Sequence, residues 1–156
     1  DAETKVAVVS APAMGLRWWA SAGGGAFADG REMHVSRIDE MPHVHLLYGN
    51  EEGFAAAKID QGFAQLRKQV WRTRGFGDFW QHMLVAEGCA EVAIDPFGLK
   101  EYDLIAPALI VREAGGTFTD IAGKPAVTNG SGVSSNGLLH SAFLGAIACA
   151  AADEGV

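Results

Sequence analysis

Short runs with alternating exposure open the chain, and longer apolar runs at helical spacing follow. Lys5 to Ser10 is a β-branched run, and Ala11 to Gly15 reads as a turn. Arg17 to Ala20 predicts a strand carrying Trp18 and Trp19. Gly23-Gly24-Gly25 is either a hairpin bend or a phosphate loop. Neither GxxxxGK[ST] nor a helical pattern follows it, which favours the bend. Ala26 to Ala28, the Asp29-Gly30 turn and Met33 to Val35 complete an antiparallel meander.

After Glu40 the rhythm changes. Strands are expected at Val44–Tyr48, Val70–Thr73, Glu91–Ile94, Thr117–Thr119 and Gly132–Ser135. Helices are expected at Glu51–Lys68, Gly77–Glu87, Leu104–Ala114 and Leu138–Ala152. Alternating strands and helices define an α/β layered fold. The reading is the end of an antiparallel α+β domain in residues 1–40, then a complete small α/β domain in residues 41–156.

The 156 residues suffice for one domain with a core. A net charge of −7 argues against a nucleic-acid surface and suits a site that collects cations. Arg67, Lys68, Arg72 and Arg74 form a small basic cluster, most simply a solvated helix end. Cys89 and Cys149 lie far apart with no metal spacing, so a reducing cytoplasm is the expected home. The uncharged stretch Leu138–Ala152 is too short to span a membrane, and no signal peptide is visible. The chain starts at Asp1 and enters a strand almost at once, as if cut inside a domain.

The stretch "EYDLIAPALIVREAGGTFTD", Glu101 to Asp120, carries the most chemistry. Asp103 precedes eight uncharged residues, and Pro107 is expected in the first turn of the helix they form. Asp103 then reads as the N-cap, a role worth about 1 kcal/mol. A helix N-terminus also favours phosphate, and a carboxylate there could hold Mg²⁺ against a phosphate oxygen. Asp78 reads as a plausible cap of the helix expected over Gly77–Glu87. The histidines His34, His43, His45, His82 and His140 show no metal-binding spacing.

Tyr102-Asp103, followed by Ile110 through Gly116, resembles the C-terminal signature of the inositol monophosphatase superfamily. Ser135 to His140 resembles its closing strand-to-helix element, and Trp18 to Phe27 its long hairpin. Arg72 to Trp80 and Leu99 to Asp103 are most similar to the histidinol-phosphate phosphatase branch. The resemblance implies a layered αβαβα sugar-phosphatase-type fold and Mg²⁺-dependent hydrolysis of a phosphate monoester by a metal-activated water. It implies that Asp103 is a metal ligand and that Arg74, Gly77, Asp78 and Asp95 meet the substrate. A cytoplasmic homodimer acting on histidinol phosphate, with no nucleic-acid or membrane partner, is expected.

The sequence departs from the family in places. Tyr102 stands for the usual Trp, Pro107 for a small residue, and Asp95 lies one residue farther from Asp103 than usual. The family's Gly-Glu-Glu and Asp-Pro-x-Asp-Gly-Thr metal segments are missing. Asn50-Glu51-Glu52-Gly53 is misplaced for the first, and Asp95-Pro96 lacks the second acid. The chain therefore resembles a C-terminal portion of the enzyme. Two alternatives stand beside this reading: an inositol phosphatase, or a non-catalytic binding or dimerisation fragment of the fold.

Overall fold

The computed structural model describes residues 4–148. Among them, two sheets and five α-helices stack in alternating layers. The first sheet joins β1 (Val6–Ala11), β2 (Leu16–Ser21), β3 (Ala26–Ala28) and β4 (Arg31–Glu32), antiparallel and in chain order. Alternation along β2 selects its buried face. Trp18 and Ala20 are buried, while Arg17 and Ser21 are exposed. Trp19 turns outward and stacks on Phe27.

The triple glycine is the bend between β2 and β3. Gly23 and Gly25 have φ of 73° and 81°, where a side chain would be strained. Their amides, which a phosphate loop would turn to a ligand, both donate to the Glu113 carboxylate at 3.0 Å. The expected strand at Met33–Val35 is not one. The ladder ends at Glu32. Buried Met33 keeps one bond to Ala26, and Val35 leaves the sheet to donate to the Ala114 carbonyl.

The second sheet runs β6 (Arg72–Gly75), β5 (His45–Tyr48), β7 (Val92–Asp95), β9 (Gly132–Ser135), β8 (Thr117–Thr119). The first three strands are parallel, and β9 is antiparallel to both β7 and β8. Helices α3 (Asp78–Ala86) and α4 (Glu101–Glu113) fill the layer between the sheets. Met83, Leu104, Ala108 and Ile110 pack there with Trp18 and Phe118. Helices α1 (Glu51–Ala56), α2 (Asp60–Gln69) and α5 (His140–Ala148) cover the far face, where Phe54, Phe63 and Phe143 meet Leu46 and Ile94. A Cβ on Gly62 would strike the Ile147 backbone, so glycine sets the close approach of α2 and α5.

Two helix expectations need correction. The single helix expected over Glu51–Lys68 is two helices. Lys58 adopts φ 59°, Ile59 N donates to Phe54 O and Lys58 N to Ala55 O. That pair of bonds is a Schellman ending, here with lysine where glycine is usual. Helix α4 begins at Glu101, so Asp103 is its third residue and Lys100 its N-cap. Pro107 therefore lies inside the helix, and its missing N–H leaves the Asp103 carbonyl without its intrahelical donor. The expected continuation of α5 to Ala152, and Cys149, lie outside the described residues.

Candidate active site

Three carboxylates gather where strand and helix ends meet. Asp95 is the last residue of β7, at the carboxyl end of the parallel strands. Ligands of open α/β sheets bind at that end. Asp78 begins α3 and Asp103 lies in the first turn of α4. All three line one cavity of about 460 Å³, together with His82, Tyr102 and Val8 of β1. Among the described residues no lysine or arginine lines it.

Each acid is held differently. Asp95 is 7 % exposed. Its Oδ2 accepts from Gln81 Nε2 at 2.5 Å and lies 3.2 Å from His82 Nε2. Gly49 passes so close that a Cβ there would collide with Asp95 Oδ1. Asp103 Oδ2 accepts from the Lys100 amide at 2.9 Å, which closes the first turn of α4 from inside. The N-cap role expected for Asp103 is thus corrected: the carboxylate reaches back to the cap residue's amide.

Asp78 is the outlier. The N-cap of α3 is Gly77, and Asp78 is the first helical residue with φ 57°. Its expected capping bond is not made, and its carboxylate has no hydrogen bond to a described residue. A left-handed conformation at a non-glycine residue costs on the order of 1 kcal/mol and concentrates at functional sites. An acid lining a cavity, strained and without a hydrogen bond to a described residue, is a candidate for ligand contact.

Arg74 and Gly77 do not line the cavity. The Arg74 guanidinium on β6 is exposed and donates to the Thr73 carbonyl at 2.8 Å, and no ion pair joins it to Asp78. Gly77 adjoins the site only as the N-cap of α3.

Sequence reasoning passed over Gln81 and Ser134, and took His82 only as a histidine without metal-binding spacing. Gln81 and Ser134 are fully buried, and His82 is 1 % exposed. His82 Nδ1 lies 2.8 Å from Ser134 Oγ. Because a carboxylate only accepts, His82 Nε2 must carry the proton toward Asp95. Serine, histidine and aspartate line up as in a hydrolytic triad, but Ser134 is sealed behind the ring and cannot reach a substrate. The available signal was a polar pair, Gln81-His82, inside an otherwise apolar helix.

Among the described residues no group of three His, Cys, Asp or Glu side chains converges to hold an ion. Mg²⁺ needs near-octahedral oxygen coordination. Asp103 could offer one oxygen, while Asp95 Oδ2 is already committed to Gln81 and His82. Asp95 Oδ1 carries no such bond, yet no three ligating side chains converge, so the described residues do not by themselves fit a metal centre.

The model of the inositol monophosphatase family matches residues 1–154, and the chain belongs to that family. It is 41% identical over 145 residues to a histidinol-phosphatase of Streptomyces coelicolor, covering 90% of this chain and 54% of that protein. It is 42% identical over 149 residues to a histidinol-phosphatase of Mycobacterium tuberculosis, covering 92% and 57%. The chain thus spans about half the length of these relatives. An inositol monophosphatase (IMPase) structure from Thermotoga maritima superposes with a TM-score of 0.83 at 27% identity, covering 94% of this chain and 57% of that one. The layered α/β architecture expected from sequence is the fold of this family. Among the described residues no helix is long and apolar enough to cross a membrane.

Proposed function

We propose that this chain forms the substrate-gripping part of a Mg²⁺-dependent phosphate monoester hydrolase whose substrate is histidinol phosphate. One observation carries the reading: Asp78, Asp95 and Asp103 line a single cavity that no described lysine or arginine lines. Such a lining attracts a cation and repels a bare phosphate. Histidinol phosphate offers an amine and an imidazole to these acids, whereas inositol phosphate offers only neutral hydroxyls. The names of the Streptomyces and Mycobacterium relatives support the same substrate.

In this reading Asp78 and Asp95 accept N–H groups of the organic half and orient the ester. The phosphate lies toward the N-terminus of α4, whose amides favour an anion. When bound, Mg²⁺ would activate water and neutralise phosphate charge, and Asp103 is the carboxylate available to it. The remaining ligands would come from outside the described residues. Pairing of the enzyme into a homodimer and a cytoplasmic location belong to the same proposal.

That no three metal-ligating side chains converge among the described residues favours a second reading, in which this chain alone binds without turnover. Side-by-side hydrolysis of histidinol phosphate and inositol phosphate, by this chain and by a longer enzyme in which it is extended to the length of its relatives, tests both. The first reading expects Mg²⁺-dependent turnover of histidinol phosphate by the longer protein. Equal or better turnover of inositol phosphate would contradict it.

A further inference from the structure

Asp95 is a buried acid whose two oxygens are used differently. Oδ2 is engaged by Gln81 Nε2 at 2.5 Å and His82 Nε2 at 3.2 Å, from consecutive residues of α3. Oδ1 has no hydrogen bond to a described residue, and the absent side chain of Gly49 leaves it room. His82 is itself aimed by Ser134 of β9, at 2.8 Å from its other ring nitrogen. Burying a carboxylate without donors is costly, so this chain of bonds decides where Asp95 can sit. The same helix begins with strained Asp78, so its first two turns position both acids that face the organic part of a substrate.

We propose that His82, steered by Ser134 and seconded by Gln81, is a positioning residue for selectivity. It fixes Asp95 with Oδ1 presented to an N–H donor of a cationic phosphate ester. The inference rests on the substrate reading above and deepens it. His82 lines the cavity, yet its two ring nitrogens face Asp95 and Ser134, so it acts through Asp95. The network also explains two polar residues buried in a helix that faces the core on most sides.

Two substitutions separate the bonds. His82→Asn places an amide where Nδ1 was, keeping a partner for Ser134 and losing the donor to Asp95. His82→Gln extends an amide to the position of Nε2 and restores that donor. In the longer, active enzyme, His82→Asn is expected to raise KM for histidinol phosphate about tenfold, the size of one charge-assisted hydrogen bond, with a smaller change in kcat. The preference for histidinol phosphate over inositol phosphate should fall by a similar factor. His82→Gln should recover most of it, at a melting temperature no higher than that of the Asn variant. Unchanged selectivity in His82→Asn, or equal loss in both variants, would overturn the proposal. Should the wild-type enzyme not hydrolyse histidinol phosphate, the substrate reading fails, and the imidazole ¹H–¹⁵N spectrum of the protein still decides the positioning. A proton on Nε2 of His82 supports it, and a ring protonated only at Nδ1 overturns it.

Discussion

Asp103 Oδ2 accepts a hydrogen bond from the backbone amide of Lys100, 2.9 Å away, across the first turn of α4. One side chain thus secures the helix end and lines the cavity. The two roles separate on substitution. Asn at position 103 can still accept from the Lys100 amide with its carbonyl oxygen, but it carries no charge. The helix-end charge lost is worth about 0.3–1 kcal/mol. Asp103→Asn should therefore lower the melting temperature by a few degrees at most without metal, while turnover in the longer enzyme falls by orders of magnitude or demands far more Mg²⁺. An Asn variant fully active at unchanged Mg²⁺ would remove the metal assignment.

How much of this was legible in the sequence follows from range. β8 and β9 agree with the expected bounds residue for residue, and Trp18 and Trp19 alternate inward and outward as the pattern of β2 requires. The start of α4 was missed because Glu101 and Tyr102 are exposed and carry no apolar period. The break at Lys58 was missed because a lysine occupies a position where glycine is the signal. The site was half visible. Asp78, Asp95 and Asp103 could be singled out by family motif, but the partners of Asp95 could not. His82 is 13 residues from Asp95 and 52 from Ser134, and only the packing of α3 between β7 and β9 brings them together.

Gly49 provides an independent handle on Asp95. Adding a methyl group by Gly49→Ala pushes against Oδ1 and must displace either the acid or the strand end. Steric strain of this kind typically costs about 1–3 kcal/mol. The variant should fold, melt several degrees lower, and show a raised KM for histidinol phosphate. Wild-type kinetics in Gly49→Ala would mean that Asp95 does not touch the substrate.

His140 gives the fold a defined acid limb. Its buried ring bridges Ser135 Oγ at 2.7 Å and Thr119 Oγ1 at 2.9 Å, tying α5 to the β8–β9 edge. Burial lowers its pKa below the usual 6.5. The unfolded chain then binds a proton that the folded ring resists. The contribution of the neutral ring is complete above pH 6.5 and is lost as pH falls below that toward the folded value. His45, also lowered chiefly by burial, adds in the same direction. Thermal unfolding should show stability falling as pH drops below 6.5, with a shallower fall in His140→Gln. An identical slope in that variant would exclude His140 as the source.

The chain on its own should be nearly inert toward phosphate esters, since no three metal-ligating side chains converge among its described residues. Mg²⁺-dependent release of phosphate by pure 156-residue material, checked for contaminating phosphatase by loss in Asp103→Asn, would contradict this.

The central claim is that an acid-lined cavity selects a cationic phosphate ester, and Asp78 tests it most directly because it is strained and makes no bond to a described residue. The measurement is the ratio of kcat/KM for histidinol phosphate to that for inositol phosphate, in the longer enzyme, for wild type and Asp78→Asn. Asn tolerates the same left-handed backbone, so the fold should persist. The account predicts a wild-type ratio well above one that drops about tenfold or more in the variant, through histidinol phosphate alone. A ratio unchanged by the substitution, with histidinol phosphate still preferred, would contradict it.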